Sequence, residues 1–286
     1  MERTFLLGVG AMKAGTTWLH DHLAASPQCD PGVRKEYHVF DSLDLEQERF
    51  MLGRVVDRAR ASLDVVAEGR PTDPTFLLQT AMVADEQLYY DHFTALFARD
   101  PRTRLTMDIT PAYALLSAQR LATVRAEFER RGVRAVAAFL LRDPVERIWS
   151  QVRMQKRRRP AQNPEPAEEL VAQRFADASY ADRTRYEHTL TALDASFAEA
   201  YVGFYEELFD PARSGPELGR LSALLGIEPH APDLDASFNV SPRTAALPEA
   251  TVRAVAEHFR ATYESVAARF PDRDLRTIWP SSRFVL

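Results

Sequence analysis

The chain has 286 residues, a formal net charge of −5 and 45% hydrophobic residues. Its length and the lack of a Gly/Ser-rich linker predict a single domain over residues 1–286. The acidic balance argues against a general nucleic-acid binder, because phosphate contacts require a basic surface.

Compartment and membrane signals indicate a cytoplasmic protein. Cys29 is the single cysteine, which excludes an intramolecular disulfide and is typical of a reducing compartment. The apolar run from Phe5 to Met12 is too short and too rich in glycine for a secretory signal. No run reaches transmembrane length, so we expect no membrane span.

Buried strands and amphipathic helices alternate along the chain. Apolar runs predict strands, and 3.6-residue periodicity predicts helices. The strands are expected over residues 4–9, 105–109, 134–141 and 201–205. The helices are expected over residues 16–26, 78–97, 117–131, 186–197 and 252–270, with a further helix that begins at Pro144. This alternation predicts an α/β fold with a mostly parallel central sheet, whose active site lies at the carboxyl ends of the strands.

The first strand-to-helix junction is a candidate anion site. It consists of Lys13, Ala14, Gly15, Thr16 and Thr17. Backbone N–H groups of a glycine turn and a helix N-terminus bind phosphate, and the lysine adds a positive charge. The lysine precedes the glycine by two residues, so this is not a Walker A loop. The alternative is that the glycines serve only a tight turn.

The junction after the strand at 134–141 is a second candidate anion site. Arg142 can direct two N–H donors at phosphate oxygens, which a lysine cannot do. Ser150 follows about two helical turns later, so the intervening loop must bring both side chains to one phosphate. The alternatives are a surface ion pair from Arg142 to Asp143 or Glu146 and a solvated Ser150.

These two motifs, in this order, resemble the 5′-phosphosulfate and 3′-phosphate motifs of sulfotransferases that use 3′-phosphoadenosine 5′-phosphosulfate (PAPS). Residues 35–40 resemble a Glu-Pro-His-Phe-Phe segment of the glycan-modifying branch, although Tyr37 replaces the proline. Trp18 resembles the tryptophan that stacks on adenine in the cytosolic small-molecule branch; its alternative is core packing. The resemblance runs to about residue 225. It implies a single sulfotransferase domain with a P-loop-like, three-layer α/β/α fold.

The resemblance also implies roles for individual residues. Lys13 would neutralise charge on the departing nucleotide, and Glu36 would be the general base, with a pKa raised by partial burial. His38 would orient the acceptor or Glu36. The alternatives are a solvated Glu36 paired with neighbouring cations and a structural His38. Asp108, at the end of a predicted strand, is a further candidate base; the alternative is a strand-end residue without a catalytic role.

Two basic segments have open interpretations. Arg243, within residues 239–243, is a candidate ligand of the 3′-phosphate, although a simple helix-entry loop is the alternative. The basic run at residues 153–159 contacts an anionic acceptor or the nucleotide, or else forms a solvated face. No Cys/His cluster has metal-ligand spacing, so we expect PAPS as co-substrate and no metal requirement.

Three functions are compared. The first is transfer of a sulfuryl group from PAPS to a hydroxyl, less readily an amine, of a carbohydrate or small molecule. The second is a P-loop phosphotransferase (kinase) that uses ATP and magnesium; the displaced lysine and the lack of a Walker B aspartate argue against it. The third is a non-catalytic nucleotide-binding protein. The sequence does not indicate the oligomeric state.

Overall fold

The structure, a computed structural model, describes residues 2–234 and 246–286. A five-stranded sheet lies at its centre, in the order β2-β3-β1-β4-β5, and every neighbouring pair is parallel. The strands are β1 (Thr4–Gly10), β2 (Cys29–Asp30), β3 (Leu105–Ile109), β4 (Arg134–Leu141) and β5 (Ala200–Phe204). The predicted α/β class with a mostly parallel sheet is confirmed.

The three central strands are buried on both faces. Every residue of β1 and β3 is buried, and β4 is buried after its first residue. Successive side chains of a strand point to opposite faces, so continuous burial requires helices on both sides of the sheet. Burial on both faces explains why the sequences of these strands are largely unbroken apolar runs. In the register, Thr4 lies opposite both Leu105 and Arg134, so the three strands end at one edge.

Helices flank the sheet. Those in the described residues, of which α3 and α7 are the longest, are α1 (Thr16–Ala24), α2 (Phe40–Asp44), α3 (Arg49–Ala67), α4 (Thr75–Ala84), α5 (Glu86–Leu96), α6 (Ala118–Arg130), α7 (Pro144–Arg158), α8 (Ala167–Arg174), α9 (Ala178–Ala181), α10 (Tyr186–Ser196), α11 (Tyr205–Leu208), α12 (Ser214–Leu225), α13 (Glu249–His258), α14 (Arg260–Arg269) and α15 (Leu275–Ile278). Between residues 2 and 234 and from 246 onward, no helix combines the length and apolar character that crossing a membrane requires.

Two predicted helices are each divided in the structure. The helix expected over residues 78–97 is α4 followed by α5, because Asp85 adopts an extended conformation. The Asp85 carboxylate accepts a hydrogen bond from the Gln87 backbone N–H and so begins a new helix. The helix expected over residues 252–270 is α13 followed by α14, with a break at Phe259.

The helix after β4 begins as the sequence predicts. Pro144 occupies its first turn, where a missing N–H costs nothing. The Asp143 carboxylate caps the helix by accepting the Val145 N–H at 2.9 Å, and it also accepts from the Ser281 hydroxyl at 2.7 Å. The C-terminal segment therefore holds the start of α7 in place, and with it the second candidate anion site.

Candidate functional site

A cavity of about 1370 Å³ lies at the carboxyl ends of the strands. The loops after β1, β3, β4 and β5 contribute Lys13, Pro111, Arg142 and Tyr205 to its lining. Parallel α/β sheets characteristically form their ligand sites at this edge. Both candidate anion sites and the Glu36 segment border this one cavity.

The loop after β1 depends on Gly15. Its φ of 86° is left-handed, and an added Cβ would lie 3.1 Å from the rings of both Tyr205 and Phe209. Only glycine meets both conditions without strain. Lys13, Gly15, Thr16 and Thr17 line the cavity. Ala14, in contrast, is fully buried and packs in the core behind the loop.

Lys13 lies in a strongly positive environment. Burial lowers its pKa, and Arg142 and nearby arginines of α7 lower it further, to about 8. Like charges that face one another at close range disfavour protonation. The ammonium is still mainly charged at neutral pH, and an anion bound between these groups would relieve the repulsion.

Arg142 joins the two candidate anion sites. Its Nη1 donates a hydrogen bond of 2.7 Å to the Lys13 carbonyl oxygen, and its guanidinium lies 4.2 Å from the Tyr205 ring centre. Its Nη2 is 3.6 Å from Glu146, too long for a hydrogen bond, and its buried Nε has no hydrogen-bond partner among the described residues. Ser150, 9% exposed, lines the same cavity.

Trp18 borders the cavity but is also a core residue. The side chain is 4% exposed, and its ring centre lies 5.0 Å from Phe209 and 5.3 Å from His22. Its indole N–H donates to the Asp233 carbonyl oxygen at 2.8 Å. The ring orientation is therefore fixed by the protein itself.

Glu36 and His38 belong to a hydrogen-bonded chain of three polar side chains, and the sequence did not indicate its third member, Asp41. His38 lies between two carboxylates: its Nδ1 is 2.6 Å from Asp41 Oδ2, and its Nε2 is 3.3 Å from Glu36 Oε2. Lys35 donates to the other oxygen of Glu36 at 2.6 Å. Asp41 is fully buried, and the sequence gives no signal that distinguishes it from an ordinary helix-start residue.

The pKa values of Glu36 and His38 are shifted by their contacts with one another and with Asp41 and Lys35. Burial alone would raise the pKa of Glu36, but hydrogen bonds from His38 and Lys35 outweigh it and lower the pKa to about 2. The expected raised pKa is therefore wrong. Burial would lower the pKa of His38, but Asp41 and Glu36 outweigh it and raise the pKa to about 9. At neutral pH, Glu36 is ionised and His38 is protonated.

Asp108 lies away from the cavity and anchors the Glu36 segment from behind. It is fully buried at the end of β3, where it accepts hydrogen bonds from Tyr89 and Tyr113 at 2.9 and 3.0 Å. The Thr110 hydroxyl donates to it at 2.6 Å. Burial raises its pKa to about 6. These contacts and its absence from the cavity lining favour a structural role.

The basic run after Ser150 extends along the cavity. Arg153, Arg158 and Arg159 line it, and the Arg153 guanidinium lies 4.4 Å from the Trp149 ring centre. Arg243, the remaining candidate, lies outside the described residues. Within the described ranges, no group of three or more His, Cys, Asp or Glu side chains is arranged to hold a metal ion.

A buried ion pair that the sequence did not indicate closes one side of the cavity. Glu48, at the start of α3, is bonded to Arg183, between α9 and α10. Both side chains line the cavity and both are nearly inaccessible to solvent. The partners are 135 residues apart, so no local pattern could have identified them.

Comparison with solved structures identifies the fold. The structure superposes on a sulfotransferase from Alicyclobacillus acidocaldarius with a TM-score of 0.65 and 19% sequence identity, over 97% of this chain and 99% of that one. The chain has the sulfotransferase fold. A sulfotransferase domain from the curacin biosynthetic pathway gives a TM-score of 0.47 at 19% identity, over 85% of this chain and 81% of that domain. No family model matches the sequence, and no curated protein does.

The sulfotransferase fold agrees with the P-loop-like, three-layer architecture that the two motifs implied. In this chain the loop with Lys13 follows the central strand β1, and the loop with Arg142 follows its neighbour β4. Two loops on adjacent parallel strands necessarily open at the same sheet edge. The fold thus explains why residues about 130 positions apart meet in one cavity.

Proposed function

We propose that this protein is a sulfotransferase that moves a sulfuryl group from PAPS to a hydroxyl of a carbohydrate or small-molecule acceptor. The observation that carries this proposal is the hydrogen bond from Arg142 to the Lys13 carbonyl, which holds two basic loops in one cavity. PAPS has two separated anionic groups, a 5′-phosphosulfate and a 3′-phosphate. A pocket for it therefore needs two anion sites on adjacent strands.

The donor nucleotide fits the groups present. Lys13 and the Thr16 and Thr17 hydroxyls would hold the phosphosulfate at the start of α1. Arg142, whose buried Nε lacks a partner, and Ser150 would hold the 3′-phosphate. Trp18, held by its own hydrogen bond, would lie against the adenine. Arg243 is a further candidate for the 3′-phosphate.

Sulfuryl transfer requires mainly that the protein position the two substrates and stabilise the charge that develops on the leaving group. The bond between sulfur and the phosphate oxygen breaks as the acceptor oxygen bonds to sulfur, and PAP leaves with the electron pair. Lys13 would stabilise the negative charge that develops on that oxygen. Glu36, ionised at neutral pH, would take the hydroxyl proton.

The low pKa of Glu36 makes it a weak base. Two effects would still allow Glu36 to accept the proton of the acceptor hydroxyl. By analogy with phosphoryl transfer, little proton transfer is needed before the leaving group has largely departed. An acceptor hydroxyl that replaced the Lys35 hydrogen bond would also remove part of the stabilisation and raise the pKa. His38, protonated and fixed by Asp41, would orient Glu36 rather than compete for the proton.

A transfer assay tests this function directly. The purified chain is incubated with labelled PAPS and a set of hydroxyl acceptors, and products are examined by mass spectrometry for the gain of one sulfo group. We expect a sulfated product and stoichiometric PAP. A chain that binds PAP tightly but transfers to none of the acceptors, water included, would indicate a non-catalytic nucleotide-binding protein instead.

A further inference from the structure

The lining of the cavity is far more basic than the protein as a whole. Among the described residues, nine Lys and Arg side chains and three carboxylates line it, an excess of six positive charges. The whole chain has a net charge of −5. The basic residues are Lys13, Arg34, Arg54, Arg142, Arg153, Arg158, Arg159, Arg174 and Arg183. Such a concentration in a concave site attracts anions.

The three carboxylates in the lining are already paired and do not neutralise this excess. Glu36 is held by Lys35 and His38, as described above. Glu48 is bonded to Arg183, and Asp182 lies 3.5 Å from Arg185. Among the described residues, the ion pairs of these three carboxylates are thus with Lys35, His38, Arg183 and Arg185, and they involve none of Arg54, Arg158 and Arg159.

Three of these arginines form what we call the basic rim: Arg54, on α3, and Arg158 and Arg159, at the end of α7. All three are exposed, and no described carboxylate forms an ion pair with any of them. Arg54 contacts the Met51 sulfur at 3.8 Å. The charge of Arg158 also lowers the pKa of Lys13, so the rim acts on the same region as the transfer loop.

The cavity has room for a second ligand beside the nucleotide. A single ligand site usually measures about 300–1,000 Å³, whereas this cavity measures about 1370 Å³. The proposed nucleotide site uses Lys13 and Arg142 for its two anionic groups. Glu36 and the basic rim line the same cavity outside those two loops.

We propose, on the basis of the sulfotransferase function above, that the acceptor is itself an anion. A carboxylate, sulfate or phosphate group of the acceptor binds the basic rim while its hydroxyl faces Glu36. Arginine is suited to such groups because it donates two parallel N–H bonds to two oxygens. Arg54 and Arg159 contact the acceptor and not PAPS, so these two arginines set acceptor specificity.

Matched acceptor analogues test this in the presence of saturating PAP. Calorimetry compares para-hydroxyphenylacetate with its amide, and methyl glucuronide with methyl glucoside. We expect the carboxylate of each pair to bind about tenfold more tightly, the effect of two exposed charge pairs. In the double variant Arg54→Gln, Arg159→Gln, which keeps the charge of Arg158 near Lys13, this preference should fall to about twofold or less, while PAP affinity stays within about twofold of the wild type.

The control carries the same change in charge elsewhere on α3. Arg58→Gln with Arg60→Gln alters two exposed arginines that do not line the cavity, and should keep the full preference. Equal affinities within each pair, no carboxylate binding at millimolar concentration, or a preference that survives in the rim variant would each overturn the proposal. If the wild type failed to bind PAP, the sulfotransferase function itself would fall, which is a separate result.

Discussion

Arg142 is the residue on which both loops depend, and its planar guanidinium is the reason. Arg142→Lys keeps the charge but loses the geometry that allows one side chain to bond the Lys13 carbonyl and a phosphate together. We expect PAP affinity to fall by about 1–3 kcal/mol, the scale of a lost charged hydrogen bond. Calorimetric titration measures this. An affinity equal to that of the wild type would show that the side chain is not a ligand.

Lys13 and Glu36 should affect turnover in different ways. Lys13→Ala removes the ammonium but keeps the backbone carbonyl that Arg142 binds, so the loop should persist while PAP affinity and kcat both fall. Glu36→Gln should leave PAP affinity nearly intact and lower kcat by about 10²–10⁴, the range for a general base. Steady-state kinetics with PAP titrations separates the two. A near-normal kcat in Glu36→Gln would place the base elsewhere, with His38 the next candidate.

His38 should make stability depend on pH in the alkaline range. Its pKa is raised from 6.5 to about 9 in the folded protein, so its contribution is fully present below about pH 6.5 and is lost as pH rises toward 9. His38→Gln should therefore destabilise the protein at pH 6 more than at pH 9.5, as measured by urea unfolding. An equal loss at both pH values would show that the histidine is not protonated between Asp41 and Glu36.

At the scale of elements, the break between α4 and α5 depends on one side chain. Asp85→Ala removes the carboxylate that accepts the Gln87 N–H, and should lower the free energy of unfolding by about 1 kcal/mol. Asp57→Ala, on the exposed face of α3, serves as the control and should change stability by less than about 0.5 kcal/mol. Chemical denaturation measures both. Equal effects would mean that the cap does not start α5.

Elements with a strong local pattern could be predicted from the sequence. The parts of the site that lie next to such elements could therefore be predicted as well. The buried runs of β1 and β4 and the motifs after them are local, so the sequence predicted that both loops lie at the carboxyl edge of the sheet, as they do. β2 has only two residues and gives no periodic signal. The break at Phe259 was missed because both flanking helices continue one amphipathic pattern.

Contacts between distant segments could not be predicted in the same way. The pair of Glu48 and Arg183 joins residues 135 positions apart and depends on how loops fold over the sheet edge. The chain from Asp41 through His38 to Glu36 is local in sequence, but its hydrogen bonds depend on a loop conformation that no periodic pattern predicts. The pKa of Glu36 illustrates this, because burial suggested a rise, while hydrogen bonds from His38 and Lys35, which the sequence offered only as alternatives, produce a fall. For Asp108 the sequence left a catalytic and a strand-end role open, because its three hydroxyl donors could not be identified from the sequence.

At the scale of the whole molecule, one acidic protein concentrates positive charge in a single cavity at the end of its parallel sheet. The fold brings together a lysine loop and an arginine loop from adjacent strands, and we propose that these loops bind the two anionic groups of one nucleotide. A ligand that binds only the native state stabilises it in proportion to the logarithm of its concentration over Kd. The nucleotide that fits should therefore also raise Tm most.

The most direct test compares PAP with AMP, which lacks only the 3′-phosphate, and with ATP plus magnesium, the ligand of a kinase. Calorimetric titration of the purified protein with each of them measures how much the 3′-phosphate contributes to affinity. We expect PAP to bind about tenfold to a hundredfold more tightly than AMP, the effect of one or two charge-assisted hydrogen bonds from Arg142 and Ser150. Equal affinity for PAP and AMP, or tighter binding of ATP with magnesium, would contradict it.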